Sequence, residues 1–256
     1  MSTISAVLIV KNESEEIIDC LKTVDWVDEI VVMDSGSTDD TIEKARGLGA
    51  RTFVNADWQG YGVQRQRAQQ QATCDWVFMV DADERVTDEL REEVRAIVKE
   101  NNQFKVYAVP RLSYCFGRYI RHGGWYPDYV VRLYPRLKAQ YGPEQVHEKL
   151  HYDDDMAVVK LKGDLLHFTY RDLQHYLLKS AGYAAAWGQE RAEQGRRATL
   201  LQGLLHGVGC FARMYVLRAG FLDGRQGLLL ALLSAHSTFA KYADLWTRSQ
   251  AKPLSH

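Results

Sequence analysis

Three short apolar segments, each followed closely by acidic or polar residues, constrain the fold of this chain most strongly. Helical patterns separate these segments, so we predict strands that alternate with helices, as in a mostly parallel sheet. The carboxyl ends of parallel strands meet at one edge of a sheet, where such folds bind ligands. We therefore predict one site, built from strand 4–10 with Asn12 and Glu13, strand 29–33 with Asp34, and strand 76–80 with Asp81-Ala82-Asp83.

The other predicted elements follow from hydrophobic periodicity and from helix-capping residues. The segment Ser37-Thr38-Asp39-Asp40 predicts a helix that begins at Thr41. Beyond residue 104 the alternation gives way to short strands in an irregular region, and then to helices. The predicted helices are 13–24, 41–47, 62–72, 88–100, 173–194, 200–219 and 227–246, and the additional strands are 51–54, 107–109, 130–133 and 157–161.

Charge is distributed unevenly between the two parts of the chain. Residues 1–170 carry 21 Lys or Arg and 28 Asp or Glu, whereas residues 171–256 carry 11 and 5. We expect a catalytic domain over 1–170 and a helical, basic and apolar region over 171–256. Basic amphipathic helices bind anionic membrane surfaces. Helices that pack on each other, on the catalytic domain or in a dimer would have the same composition.

The sequence also indicates a cellular location. The four cysteines are far apart and include no Cys-x-x-Cys pair, which favours a reducing compartment. The apolar run 6–10 is too short for a signal peptide, and arginines interrupt the apolar segment 200–222. We expect a cytoplasmic protein that is peripheral on the cytoplasmic face of the inner membrane, and we expect no nucleic-acid partner.

The Asp81-Ala82-Asp83 segment is the strongest candidate for a metal site. Two carboxylates at positions i and i+2 of a strand-end turn can face one cation, and hard oxygen ligands suit Mg²⁺ or Mn²⁺. Such an ion would bridge two phosphate oxygens of a ligand. The alternative is that one of these aspartates caps the following helix. Asp34 can accept a hydrogen bond from a ribose or a base, although an ordinary strand–turn–helix would have the same sequence.

These motifs resemble the family 2 glycosyltransferases, whose two-layer nucleotide-sugar fold is called GT-A. The resemblance rests on Lys11-Asn12-Glu13, on Asp34-Ser35-Gly36-Ser37-Thr38-Asp39 and on the strand that runs from Trp76 to Asp83. It implies a GT-A-like domain, a UDP-sugar donor and a divalent metal, Mg²⁺ or Mn²⁺. It also implies that Asp83 holds the metal. Asp81 is a further candidate ligand, and His147 can complete the metal site, face the diphosphate or be a structural residue. The implied donor contacts are Val10, Asn12, Glu13, Asp34, Arg65, Asp81 and Ala82.

One helix departs from the family pattern. Family members often have Gly-x-Gln-Lys-Asn where this chain has Gly62-Val63-Gln64-Arg65-Gln66. Arg65 keeps the positive charge and is expected to face a phosphate or the base. The role of Gln66 is open.

Further segments resemble bacterial lipopolysaccharide inner-core β-1,4-glucosyltransferases. They are 121–128, 132–134, 146–148, 166–170 and 220–224. The resemblance implies inverting transfer of a hexose, glucose from UDP-glucose, to a heptose of a lipid-linked core oligosaccharide. Two alternatives are a glycosyltransferase for another cell-surface glycan and a non-catalytic nucleotide-sugar binder. A nucleotidyltransferase is disfavoured because Lys11-Asn12-Glu13 is not a glycine-rich, basic phosphate loop.

Inverting transfer needs a base that takes the proton from the acceptor hydroxyl. Asp128 follows a segment rich in glycine and aromatic residues and lies where the family places its catalytic carboxylate; Glu148 is the alternative. Asp128 is equally typical of a turn after Pro127. Trp125 and Tyr126 can stack on a sugar, or they can belong to the core.

Overall fold

The computed structural model describes residues 2–142, 149–170 and 172–250, which form two compact units. The sheet unit comprises the chain up to Arg111 together with Asp128–His167. The helical unit comprises Leu112–Pro127 and the chain from Phe168 onward. The helical unit thus combines two separate segments of the chain, and the predicted division at residue 170 into a catalytic domain and a helical region stays a prediction.

The strands and helices alternate in the first hundred residues. The strands are β1 (Ile4–Val10), β2 (Glu29–Asp34), β3 (Arg51–Val54), β4 (Trp76–Met79), β5 (Glu84–Val86), β6 (Lys105–Cys115), β7 (Arg118–Tyr119), β8 (Asp128–Pro135), β9 (Ala139–Tyr141), β10 (Leu150–Tyr152), β11 (Ala157–Lys160) and β12 (Leu165–Tyr170). The helices are α1 (Ile17–Lys22), α2 (Thr41–Gly47), α3 (Tyr61–Gln71), α4 (Asp88–Glu100), α5 (Leu173–Glu193), α6 (Leu200–Phe211) and α7 (Gly224–Gln250), with a π-helical turn at Ala212–Leu217 and a 3₁₀ turn at Gly220–Asp223.

The main sheet has the strand order β3-β2-β1-β4-β8-β6-β12-β5, with β7 and β11 also paired to β6. Strands β3, β2, β1 and β4 are parallel, which confirms the predicted α/β fold. Strand β8 pairs antiparallel with β4, and β6 pairs antiparallel with β8. The region that the sequence predicted as irregular therefore extends the sheet, because its strands pair with partners that are distant in the chain.

Both faces of the sheet are buried in the sheet unit. Ala6, Leu8 and Val10 of β1 point into a core formed with α1, α2 and α4, whereas Val7 points into a second core with α3, β9 and β10. Successive residues of a strand point to opposite faces, so a continuous apolar run indicates a strand that is covered on both sides. Burial on both faces explains why polar and apolar residues do not alternate along β1.

Helix α2 begins at Thr41 as predicted, and a residue of the predicted capping segment binds its first amide. Asp40 precedes α2 but makes no capping hydrogen bond with its side chain, and Asp39 Oδ1 instead accepts from the Thr41 amide at 3.1 Å. Thr87 caps α4 by accepting from the Leu90 amide. Neither Asp81 nor Asp83 has this role, so the capping interpretation of the Asp-x-Asp segment is wrong.

The helical unit has a small core and a long apolar surface. Cys115, Ile120 and Leu230 form its buried cluster. Residues 200–217 form one helical stretch long and apolar enough to cross a membrane, with a mean hydropathy of 1.3, and only 17% of it is buried. The single helix predicted over 200–219 changes to a π-helical turn at Ala212 and stops before Ala219, whose φ of 53° is left-handed.

The turn that follows this stretch is tightly packed. A side chain at Gly227 would approach the Gly220 carbonyl oxygen to 1.9 Å, so only glycine fits there. Asp223, which is 2% exposed, accepts hydrogen bonds from the amides of Arg121 and His122. The 220–224 segment therefore fixes the start of α7 within the helical unit.

Candidate active site

A cavity of about 410 Å³ lies at the carboxyl ends of β1 and β2. Val10, Glu13 and Ser35 line it together with the aromatic residues Trp58 and Tyr61. The two aromatic rings meet edge to face at 4.9 Å and are each about half exposed. A flat, partly exposed aromatic pair beside strand ends is suited to stacking on a nucleoside. We call this cavity the nucleoside pocket.

Asp34 and Asn12 build the loops around this pocket. Asp34 is buried, and its carboxylate accepts from the amides of Gly36 and Ser37, each at 3.0 Å. Asn12 Oδ1 accepts from the Thr38 amide at 2.8 Å, and the Asn12 amide donates to Ser37 Oγ. The predicted strand-end residues therefore lie together, with Asp34 and Asn12 holding the 34–38 turn against the end of β1.

Asp81 lies at the centre of a buried charge cluster. Its Oδ1 accepts from Arg65 Nη2 at 2.7 Å, and its Oδ2 accepts from Arg132 Nη2 at 2.5 Å. Arg132 Nη2 also donates to Glu84 Oε1 at 2.7 Å, while Glu84 Oε2 accepts from the Asp81 amide at 2.9 Å. Arg65 is 5% exposed and Arg132 is 4% exposed. Both oxygens of Asp81 are thus engaged by arginines.

The pKa values of the two carboxyl groups in this cluster are shifted in opposite directions from their ordinary values. Burial alone would raise the pKa of Asp81, but Arg132 and Arg65 outweigh it and hold that pKa well below its usual range. Burial raises the pKa of Glu84, with Arg132 opposing the change and Asp81 adding to it. Asp81 is therefore a firmly ionised partner of the two arginines.

Asp83 has a different environment from Asp81. Its side chain is 29% exposed, and its Oδ2 lies 3.4 Å from His167 Nε2 of β12. Within the described ranges, no three His, Cys, Asp or Glu side chains are grouped as ligands for one ion. The Asp83 carboxylate nevertheless fits Mg²⁺ or Mn²⁺, since Mg²⁺ sites in proteins often use one or two carboxylates plus substrate phosphates and water. The His167 imidazole, a softer ligand, suits a transition metal such as Mn²⁺ better than Mg²⁺.

Asp128 begins β8 and pairs with Arg111 of β6. Asp128 Oδ2 accepts from Arg111 Nε at 3.0 Å and from Arg111 Nη2 at 2.5 Å. The Asp128 side chain is 46% exposed, so it is oriented by the guanidinium but open to solvent. Such a carboxylate can take a proton from a hydroxyl group that approaches from solution.

A second cavity, of about 650 Å³, lies in the sheet unit and is lined by basic side chains. Among the residues that the structure describes, Arg65, Arg111, Arg132 and Lys149 line it together with one carboxylate, Asp81. We call it the cation cavity. Arg65 therefore faces this cavity and Asp81, and it does not line the nucleoside pocket.

The other predicted site residues that the structure describes, Ala82, Trp125 and Tyr126, make contacts that differ from those of the residues above. Ala82 is buried, and its carbonyl accepts from Arg85 Nη1 at 2.8 Å. Trp125 lies edge to face with Tyr170, and Tyr126 lies beneath the Arg121 guanidinium, all within the helical unit. His147 and Glu148 lie outside the described residues.

Several residues of the site were not predicted as such from the sequence. Arg132 is on β8, which pairs with β4, and Arg111 is on β6, which pairs with β8; neither pairing could be read from periodicity. His167 lies within the segment 166–170, and a lone histidine carries little information in a sequence. Trp58 and Tyr61 flank Gly60 just after a strand, and this pattern of aromatic residues in a strand-end loop was a usable signal.

Comparison with known proteins supports the interpretation of this geometry. The model of the family described as "Glycosyl transferase family 2" matches residues 5–160. An uncharacterized glycosyltransferase of Rickettsia prowazekii is 27% identical over 98% of this chain and 90% of its own length. The lipopolysaccharide core biosynthesis glycosyltransferase LpsC of Rhizobium meliloti is 28% identical over 99% of this chain and 98% of its own length.

A solved structure agrees at the level of the fold. Residues 1–349 of S. aureus TarS, crystallised with UDP, superpose with a TM-score of 0.50 at 14% identity. The superposition covers 99% of this chain and 93% of the TarS chain. The shared GT-A-like fold thus accounts for the order of the strands and the position of their carboxyl ends.

Proposed function

Because the chain belongs to the family 2 glycosyltransferases, we propose that it transfers glucose from UDP-glucose, with inversion, to a heptose of the lipopolysaccharide inner core. The observation that carries the chemistry is a division among the strand-end carboxylates. Asp34 and Asp81 have both carboxylate oxygens engaged by hydroxyl, amide or guanidinium donors. In contrast, Asp83 Oδ2 lies beside His167, and Asp128 Oδ2 accepts from Arg111 on a side chain that is 46% exposed. The similarity to LpsC along the whole chain supports the lipopolysaccharide acceptor.

The nucleoside pocket is proposed to hold the uridine of the donor. Trp58 and Tyr61 offer aromatic faces for the base, while Val10 and Glu13 line the pocket beside the end of β1. Asp34 shapes the pocket through the 34–38 turn. Specificity for the base would then depend on the turn as much as on any single contact.

The transfer step is a displacement at the anomeric carbon. Asp128 takes the proton from the acceptor hydroxyl while the new glycosidic bond forms and the bond to the diphosphate breaks. Arg111 orients Asp128 through its two hydrogen bonds. A divalent cation, Mg²⁺ or Mn²⁺, held by Asp83 and His167, would supply positive charge that stabilises the departing diphosphate. Glu148 is the alternative base, and His147 is a further candidate ligand.

The acceptor is proposed to be lipid-linked and presented at an anionic membrane surface. Leu201, Leu204 and Leu205 of α6 are exposed, and residues 195–222 contain four arginines and no acidic residue. Exposed apolar side chains with interspersed cations bind anionic lipid surfaces. This part of the proposal makes the protein a peripheral enzyme on the cytoplasmic face of the inner membrane.

The proposed function is tested by acceptor-dependent release of UDP. The assay supplies a panel of UDP-sugars, Mg²⁺ or Mn²⁺, and truncated lipopolysaccharide core. We expect release from UDP-glucose, and a loss of at least about 100-fold in Asp83→Ala, because the charge of the leaving group is no longer stabilised. Asp155→Ala, which removes an exposed carboxylate elsewhere in the sheet unit, is the matched control and should retain full activity.

Two outcomes would contradict the proposal in different ways. Transfer to another glycan with an unreactive core would replace the acceptor while keeping the enzyme class. Tight binding of UDP without turnover on any acceptor would indicate a nucleotide-sugar binder.

A further inference from the structure

The cation cavity has more positive charge than its own carboxylate can balance. Four basic residues, Arg65, Arg111, Arg132 and Lys149, line it with one acidic residue, Asp81. Asp81 already accepts from both Arg65 and Arg132. Arg132 Nε is buried and has no hydrogen-bond partner among the residues that the structure describes. A buried guanidinium donor of this kind favours an anionic ligand.

Neighbouring carboxylates reduce this charge without cancelling it. Asp128 pairs with Arg111, and Glu84 lies 2.7 Å from Arg132, so the wider cluster contains three carboxyl groups against four cations. Counted over the described residues, four cations against three ionised carboxylates leave a net charge of +1. The nucleoside pocket differs, because its lining combines Lys11 with Glu13.

The position of the cation cavity separates it from the nucleoside. The nucleoside pocket lies at the ends of β1 and β2, and it shares no described lining residue with the cation cavity. Arg132 and Arg111 of the cation cavity are on β8 and β6, on the opposite side of β4 in the strand order. The Asp-x-Asp segment follows β4 and so lies between the two. Arg111 also holds Asp128, the proposed base, at the edge of the cation cavity.

We propose that the cation cavity binds an anionic group of the acceptor, a phosphate or a carboxylate, close to the hydroxyl that Asp128 deprotonates. This inference rests on the proposed function, because it assigns a chemical class to the acceptor of the same site. Arginine forks bind either anion through paired hydrogen bonds. Tyr152, which is partly exposed, also lines the cation cavity and offers an aromatic surface for the sugar ring.

The first experiment measures binding without requiring transfer. Glucose 6-phosphate, glucuronate and glucose are titrated against the full chain by calorimetry, with the donor site saturated by UDP and Mg²⁺. We expect at least one of the two anionic sugars to bind at least about tenfold more tightly than glucose. The phosphate and carboxylate arms distinguish the two sources of the negative charge.

The variants localise this binding. Lys149→Gln removes an exposed cation of the cation cavity and is expected to weaken the anionic sugar about tenfold, without changing glucose or UDP binding. Lys162→Gln removes an exposed lysine that does not line the cation cavity and should change nothing. Equal losses in both variants would indicate general surface charge and would overturn the inference.

Two other results would also overturn it. Anionic sugars that bind no better than glucose would show that the cation cavity recognises no acceptor anion. Anionic sugars that bind only without UDP would assign the basic residues to the donor diphosphate.

A transfer assay separates this inference from the proposed function. Core acceptors with and without their phosphate groups, and with the carboxylates free or esterified, are compared in wild type and Lys149→Gln. We expect the variant to raise KM about tenfold for the anionic acceptor and not for the matched neutral one. If no core acceptor is glucosylated, the proposed function fails, while binding of anionic sugars beside UDP still supports an anion site.

Discussion

The two units of this protein differ in how far their apolar side chains are exposed. In the sheet unit, Ala6, Val7 and Leu8 of β1 are fully buried between two cores. In the helical unit, Leu201 and Leu204 of α6 are 64% and 55% exposed. The sheet unit thus buries these apolar side chains within itself. The helical unit instead exposes an apolar surface that a membrane or another protein chain can cover. The chemistry and the attachment of the enzyme are therefore expected to be separable.

The largest expected effect concerns the sheet unit alone. Asp128→Asn removes the proposed base but keeps an oxygen that can accept from Arg111, so we expect turnover to fall by about 10²–10⁴-fold. Initial rates of UDP release at saturating donor and acceptor measure the effect. Binding to anionic vesicles should not change. Near-normal turnover of a folded variant would assign the base elsewhere, with Glu148 as the next variant.

The second effect compares the stability of the two units. Leu133→Ala creates a cavity at a fully buried position of β8 and is expected to cost about 2–5 kcal/mol. Leu204→Ala truncates an exposed side chain and should change stability by about 0.5 kcal/mol or less. Urea unfolding followed by circular dichroism measures both. Equal losses would mean that α6 is covered in solution, as in a dimer.

The third effect concerns the helical unit alone. The double variant Leu204→Ser, Leu205→Ser removes two exposed apolar side chains and is expected to weaken vesicle binding about tenfold or more. Sedimentation with phosphatidylglycerol vesicles at low salt measures it, and activity on a soluble acceptor should persist. Leu137→Ser, at a leucine of the sheet unit that is 82% exposed, is the matched control. A wild-type protein that does not sediment would remove the membrane interpretation.

The parallel half of the fold was predictable because its signals are local. Each strand–helix repeat has its own periodicity, so β1, β2, β3 and β4 were placed within a residue or so. Strand β5 was missed because it is short and charged, and it exists through pairing with β12, about 80 residues later. Pairing over such a distance leaves no periodic trace in either segment.

The candidate site was likewise predictable only where it is built from the ends of the parallel strands. Residues at the ends of parallel strands, such as Asn12, Asp34 and Asp83, could be grouped because topology brings those ends together. The partners that distinguish Asp81 from Asp83 come from α3, β8 and β12. The family resemblance favours Asp83 over Asp81 as the metal ligand, but the spacing of the two aspartates does not distinguish them. Only three-dimensional pairing gives Asp81 two arginines and Asp83 a histidine.

The trio of Arg65, Asp81 and Arg132 has a consequence for how the sequence can evolve. Loss of one partner from a buried ion pair leaves an uncompensated buried charge and lowers the free energy of unfolding by about 3–5 kcal/mol. A typical domain has only about 5–15 kcal/mol of total stability. Descendants of this protein that alter one member are therefore expected to alter another, so the three positions should covary among relatives even though they lie on three different elements of the chain.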